Sequence, residues 1–102
     1  MITLINTFTV LPENQEALLQ SISIVYNEVV QDHPGFISAE LFVSNDGTKI
    51  TAIAKWENEE YLEAMKNSQG FKDLHDENFL KSIVSFEPKL YQTALEIVGT
   101  KI

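Results

Sequence analysis

Residues 36–57, FISAELFVSNDGTKITAIAKWE, contain two strand patterns joined by a tight-turn sequence. Apolar residues recur at alternate positions in 36–44 and again in 49–57, which is typical of β-strands. Asp46 and Gly47 lie between the two runs, and Asp-Gly is a strong local signal for a β-hairpin. The stretch therefore predicts two adjacent antiparallel strands near the middle of the chain.

On the N-terminal side of this hairpin, the sequence predicts one strand and one long helix. Residues 2–10 alternate and predict a strand, and Pro12 suits the first turn of a helix that Pro34 terminates. The apolar stripe of this helix recurs at helical spacing. Its members are Leu18, Ile22, Val25 and Val29, widened by Leu19, Tyr26 and Val30.

On the C-terminal side, Asn58 is a candidate N-cap for a short second helix. A further helical piece is predicted over 71–79, Pro88 marks a boundary, and alternation predicts a last strand over 90–98. The order strand, helix, strand, strand, helix, strand indicates an α+β sandwich. In such a fold two helices cover one face of a four-stranded antiparallel sheet.

The second face of the predicted sheet also needs a cover. Phe42 and Ile53 place apolar groups on the side of their strands that the helices do not cover. A sheet with one solvated face has a polar outer side, and these strands do not. We therefore expect a homodimer in which two sheets close face to face.

Composition limits the class of protein. The chain has 102 residues and fits a single domain over 1–102. Fifteen acidic residues against seven lysines, with no arginine, give a net charge of -8, which argues against nucleic acid and anionic substrates. The lack of cysteine excludes disulfides and thiolate chemistry. No segment has the pattern of a signal peptide or membrane span, so we expect a cytoplasmic protein without membrane partners.

Several short motifs, taken in order, resemble the antibiotic biosynthesis monooxygenase family over nearly the whole chain. They are Asn6-Thr7-Phe8-Thr9-Val10, His33-Pro34-Gly35-Phe36, Asp46-Gly47-Thr48, Lys55-Trp56 and Ser85-Phe86-Glu87-Pro88-Lys89-Leu90-Tyr91. The resemblance implies a ferredoxin-like fold that dimerises into an α/β barrel. The family includes cofactor-free oxygenases acting on anthrones and quinols, haem-degrading monooxygenases and small dimers of unknown role, and membership alone does not choose among them.

Asn6 is a candidate site residue because its amide interrupts the apolar row of the first predicted strand. The structural alternative is an amide that bonds nearby backbone or an internal water. In the haem-degrading branch, an asparagine at the matching position faces the pocket, which favours a functional role.

His75 is the second candidate, since it lies between Phe71 and Phe79 on an apolar helical stripe. A satisfied core histidine is the alternative interpretation. The resemblance of residues 68–75 to the haem-degrading enzymes, which carry their axial histidine here, supports a site role. As a neutral imidazole, His75 could ligate haem iron or remove a proton from an acidic phenol or anthrone.

Apolar residues are the predicted walls of the site. Trp56 lies on the same strand face as Ala52, a pattern that suits a flat ligand, although an ordinary core tryptophan is the commoner explanation of such a pattern. Cofactor-free relatives often have asparagine in place of Ala52, and the haem-degrading branch has tryptophan in place of Met65. The predicted lining residues are Trp56, Phe8, Met65, Tyr61, Tyr26, Phe42 and Ala52.

These observations lead to a functional hypothesis with two alternatives. The first is a cofactor-independent monooxygenase that oxidises a small aromatic quinol or anthrone with O2, with His75 as base and Asn6 as hydrogen-bond donor. The second is a haem-binding or haem-degrading enzyme in which His75 is the iron ligand. The third is a dimeric small-molecule-binding module without catalysis.

Overall fold

The computed structural model describes residues 1–75 and 77–100. The elements in chain order are β1 (Ile2–Thr9), a 3-10 turn (Pro12–Asn14), α1 (Gln15–Val25), a π-helical turn (Tyr26–Val30), β2 (Phe36–Val43), β3 (Lys49–Trp56), α2 (Glu59–Lys66), α3 (Gln69–Leu74), α4 (Glu77–Lys81) and β4 (Ser85–Tyr91). This order confirms the predicted α+β architecture. The second helical segment consists of three short helices.

The four strands form one antiparallel sheet in the order β2-β3-β1-β4. In the centre of β1, Asn6 pairs with Ala52 of β3 on one side and with Pro88 of β4 on the other. Directly paired residues point to the same face of a sheet. We call this the inner face, because the buried core between sheet and helices lies on it.

The predicted hairpin is confirmed, and the side chain of Asp46 organises its turn. The Asp46 carboxylate accepts hydrogen bonds from the Thr48 hydroxyl at 2.7 Å, the Ser44 hydroxyl at 2.7 Å and the Thr48 amide at 3.0 Å. These bonds, led by the Thr48 hydroxyl, lower the pKa of Asp46 to about 2. Gly47 has φ +81°, a conformation that glycine adopts without strain.

The end of the first helical segment differs from a regular α-helix. The Gln31 amide donates to the Tyr26 carbonyl at 2.8 Å, which is the i→i+5 bond of a π-helical turn. The turn contains one extra residue, so the buried position after Val25 is Val30, which is 2% exposed. Val29, which the predicted stripe includes, is only partly buried and faces Gly70.

The position of the predicted last strand was wrong. The sequence predicted a strand over 90–98, but β4 spans Ser85–Tyr91, and Leu95, Ile97 and Val98 are strongly exposed. Pro88 was interpreted as a boundary, yet it lies inside β4. The sheet order explains this, because β4 is an edge strand and an edge tolerates a residue without an N–H.

Candidate functional site

A cavity of about 330 Å³ lies between the inner face of the sheet and the helices. Its floor is formed by the inner-face residues Leu4, Asn6, Phe8 and Ala52. Helix α1 and the π-helical turn form one wall, and the three short helices form another. The lining is mostly apolar with few polar groups, which is typical of a small-molecule site.

Asn6 is the polar group at the floor of this cavity. Its Oδ1 atom is buried and has no hydrogen-bond partner within the described part of the chain. A buried acceptor without a partner costs about 1–3 kcal/mol. Because the two ends of an amide are assigned from their partners, a rotated Asn6 would place an unpaired N–H there instead. In both orientations the side chain has hydrogen-bonding capacity that no described residue satisfies, at the edge of the cavity.

His75 lines the same cavity and is held by backbone and aromatic contacts. It follows the last residue of α3, and its Nδ1 lies 2.8 Å from the Phe71 carbonyl oxygen. A carbonyl only accepts, so in the neutral ring Nδ1 carries the proton and Nε2 carries a lone pair. The rings of Phe71 and Phe79 contact the imidazole at centroid distances of 4.0 and 4.8 Å. The structure therefore provides an imidazole whose orientation is fixed through Nδ1, which leaves Nε2 as the acceptor.

Four other predicted lining residues also border the cavity: Phe8, Tyr26, Ala52 and Met65. Met65 and Ala52 are buried, and Phe8 contacts Phe86 across the sheet at 6.3 Å between ring centroids. Burial raises the pKa of Tyr26 to about 12, so its phenol stays protonated at neutral pH. Asn6 and His75 border the same cavity, so six of the nine predicted site residues lie at it.

The remaining three predicted residues, Trp56, Tyr61 and Phe42, lie outside the cavity lining. Trp56 is fully buried and pairs with Ile2, four residues along β3 from Ala52, which is about 13 Å along a strand. Its indole packs edge-on against Phe36 at 5.3 Å.

Tyr61 and Phe42 lie outside the cavity for different reasons. The ring of Tyr61 covers Gly35, so closely that a Cβ on that glycine would overlap it. Phe42 pairs with Thr51, which is on the opposite face of β3 from Ala52, and it is half exposed. Neither residue therefore contributes to the cavity.

Sequence reasoning missed part of the wall near the edge strand and the short helices. These residues are Lys66, Leu80, Ile83, Phe86 and Pro88. The inner-face residues of β4 alternate with Glu87 and Lys89, and this period-two pattern carried the signal. Placing the last strand at 90–98 concealed it.

Within residues 1–75 and 77–100, no group of three or more His, Asp or Glu side chains is arranged to hold a metal ion. The helices of the same residues include none with the length and apolar character needed to cross a bilayer. The apolar cavity bordered by Asn6 and His75 is the candidate site.

The chain is a small α+β protein with a mostly apolar cavity between its sheet and its helices. Its sequence matches the profile of the antibiotic biosynthesis monooxygenase family over residues 1–77, and the chain belongs to that family. This confirms the resemblance found in the sequence.

One curated relative, the tetracenomycin-F1 monooxygenase of Streptomyces glaucescens, is 35% identical over 65 residues. The alignment covers 64% of this chain and 58% of that relative, so the chain spans less than two thirds of its length.

Two solved structures share the fold. The first is a monooxygenase from the gene ActVA-Orf6 of Streptomyces coelicolor, solved with nanaomycin D, with a TM-score of 0.82 and 21% identity over 97% of this chain and 92% of that one. The second is SnoaB of Streptomyces nogalater, described as a cofactor-independent oxygenase, with a TM-score of 0.72 and 20% identity over 94% of this chain and 95% of that one. At these identities the likeness shows the fold alone.

Proposed function

We propose that this protein is a cofactor-independent monooxygenase that oxidises a small, flat phenolic aromatic of the quinol or anthrone type with O2. The observation that carries the proposal is that an unpaired Asn6 amide and an oriented His75 imidazole border the same apolar cavity. Family membership and the monooxygenase activity named for the curated relative support it.

His75 acts as the base. The Phe71 carbonyl holds the Nδ1 proton, so Nε2 accepts the proton that the substrate loses. Deprotonating an anthrone gives an electron-rich carbanion that transfers one electron to O2, and the resulting radicals combine to a peroxide. The imidazolium returns its proton to the peroxide, which eliminates water. In the balanced reaction the substrate methylene and one O2 become a carbonyl and one water, and all the electrons come from the substrate.

Asn6 stabilises charge on the substrate oxygen. In one orientation of the Asn6 amide, Oδ1 serves as the acceptor for a substrate hydroxyl. Rotation of the amide presents Nδ2 as a donor once negative charge develops on that oxygen. The carboxamide therefore serves both protonation states of the substrate.

The apolar walls exclude water and orient the ring. Phe8 and Met65 are buried residues that border the cavity, and Ala52 leaves space beside Asn6. Low polarity strengthens the Asn6 hydrogen bond and protects the carbanion from protonation by solvent.

Oxygen uptake with a panel of quinols and anthrones tests this function. We compare wild type with His75→Ala and Asn6→Ala, and use His33→Ala as the matched control, because His33 lies in a surface turn outside this cavity. General-base catalysis contributes about 10²–10⁴-fold, and the His75 variant should lose a factor of that order. Equal uptake in wild type and in both site variants would discredit the assignment.

SnoaB, which shares the fold, is described as cofactor-independent, and this favours the cofactor-free chemistry over the haem alternative. A haemin titration separates the two chemistries. We expect no Soret shift that depends on His75. Binding of an aromatic ligand without oxygen uptake would instead favour the non-catalytic module.

We also propose that the chain works as a homodimer in the cytoplasm. Its accessible surface is 7082 Å², whereas a compact monomer of 11.6 kDa exposes about 5,800 Å². Its radius of gyration is 14.7 Å, against about 12.8 Å for a compact chain of this length. Ile5 pairs with Ile53 on the outer face, next to the half-exposed Phe42. Part of the surplus belongs to the exposed segment 92–100, and the apolar groups in the middle of the outer face support a second copy as its cover.

Light scattering after size exclusion tests the dimer. We expect twice the monomer mass for wild type and a monomer for Ile53→Asp, which places a charge in the centre of the outer face. A clean wild-type monomer at micromolar concentration would remove the proposal.

A further inference from the structure

Tyr26 borders the cavity from the helical wall, whereas Asn6 borders it from the sheet. The two polar side chains therefore border the cavity from different layers of the fold. Their hydrogen-bonding capacities also differ, since Asn6 presents an unpaired buried acceptor and Tyr26 presents a phenolic hydroxyl.

The Tyr26 hydroxyl is available as a donor. No described residue forms a hydrogen bond with it. Burial raises its pKa to about 12, so the group keeps its proton at neutral pH. A phenol at an apolar cavity gains most from an acceptor that a ligand supplies.

The position of Tyr26 is set by its backbone and by its ring contacts. Its carbonyl accepts the hydrogen bond that closes the π-helical turn, and π-helical turns occur frequently at functional sites. The Tyr26 ring lies 6.3 Å from the ring of Phe36, which packs on Trp56 at 5.3 Å. Trp56 thus contacts the cavity wall indirectly, through Phe36.

We propose that Tyr26 donates a hydrogen bond to a carbonyl oxygen of the bound ligand, so that the cavity selects flat aromatic ketones and quinones over aromatic hydrocarbons of the same size. This proposal deepens the proposed function and rests on it for the identity of the site. It assigns Tyr26 a role in substrate choice that is separate from proton transfer by His75.

The test measures binding without turnover. Equilibrium dialysis under anaerobic conditions compares 1,4-naphthoquinone with naphthalene, two flat probes that differ in their carbonyl groups. The chain has no cysteine, so thiol addition to the quinone does not interfere. The variants are Tyr26→Phe and the matched control Tyr61→Phe, whose ring lies on Gly35 outside the cavity.

We expect Tyr26→Phe to weaken naphthoquinone binding about three- to tenfold, the value of one hydrogen bond, and to leave naphthalene binding unchanged. Tyr61→Phe should change neither. Unchanged naphthoquinone binding in Tyr26→Phe would overturn the proposal, as would equal losses for both probes, which indicate packing alone. Wild type that binds neither probe, or binds both equally, would also overturn it.

The oxygen-uptake experiment separates this inference from the proposed function. Carbonyl selectivity that depends on Tyr26, in a protein without oxygen uptake, upholds the inference and removes the monooxygenase. If Tyr26→Phe takes up oxygen and keeps the wild-type selectivity for ketones, the monooxygenase function is upheld and the inference about Tyr26 is removed.

Discussion

Because the Oδ1 atom of Asn6 is buried without a hydrogen-bond partner, replacing Asn6 by an apolar residue should stabilise the protein. Asn6→Leu replaces the amide by an apolar group of the same branching, and the adjacent cavity of about 330 Å³ can accept the larger atoms. Removing a buried unpaired polar group recovers about 1–3 kcal/mol. For a chain of this size, 1 kcal/mol corresponds to about 4–8 °C in Tm. We therefore expect Asn6→Leu to be more stable and inactive.

Urea unfolding followed by circular dichroism measures the change, at two protein concentrations so that any dimer is accounted for. Asn58→Leu is the matched control, because the Asn58 side chain caps α2 by accepting from the Tyr61 amide at 3.0 Å. Loss of that cap should destabilise the protein by about 1 kcal/mol. The two asparagines thus predict changes of opposite sign. Unfolding of Asn6→Leu at the same or a lower urea concentration than wild type would show that the Asn6 amide has a partner.

Three further predictions concern other parts of the molecule. The double variant Asn6→Ala/Ala52→Asn moves the amide to the paired residue, whose Cβ is about 5 Å away. Its kcat/KM should be about tenfold or more above that of Asn6→Ala. A double variant that is no more active than Asn6→Ala would contradict this prediction. Because the pKa of Tyr26 rises from 10.0 to about 12 on folding, the contribution of Tyr26 to stability is present below pH 10 and is lost as the pH rises to about 12. Urea titrations over this range should show wild type losing about 2–3 kcal/mol more of its free energy of unfolding than Tyr26→Phe. Parallel pH profiles of the two proteins would refute this prediction. Gly35→Ala should lower the free energy of unfolding by about 2 kcal/mol, because Gly35 has a positive φ and the Tyr61 ring occupies the space of a Cβ. The control Gly99→Ala should not change the free energy of unfolding. An unchanged stability of Gly35→Ala would show that the turn adapts to a side chain.

The parts of the fold that local chemistry determines were predictable from sequence. Asp46-Gly47 specifies a tight turn through its own hydrogen bonds, and Asn58 caps the helix that follows it. Neither prediction needed information about distant residues.

The failures have tertiary causes. Both 85–91 and 90–98 contain alternating residues, and only pairing with β1 selects the first. Pro88 signals a boundary locally, whereas an edge position removes its penalty. The π-helical turn shifts the buried position from Val29 to Val30, and helical periodicity alone does not contain that shift.

Strand parity placed Asn6 and Ala52 on the correct face but could not set distances along the strand. Trp56 shares that face with Ala52, yet it lies two inner-face positions beyond it and packs in the core. Strand alternation therefore predicted which face forms the floor of the cavity, whereas the packing of the helices on that face sets where the cavity ends.

If Asn6 and His75 form the site, this chain alone should support oxygen insertion into a flat phenolic substrate. The most direct measurement is mass spectrometry of the product formed from anthrone under isotopically labelled oxygen gas, using protein stripped of small molecules. We expect a ketone that carries one labelled oxygen atom, formed by wild type and lost in His75→Ala. Unlabelled product, or labelled product formed equally by His75→Ala, would contradict the proposed chemistry.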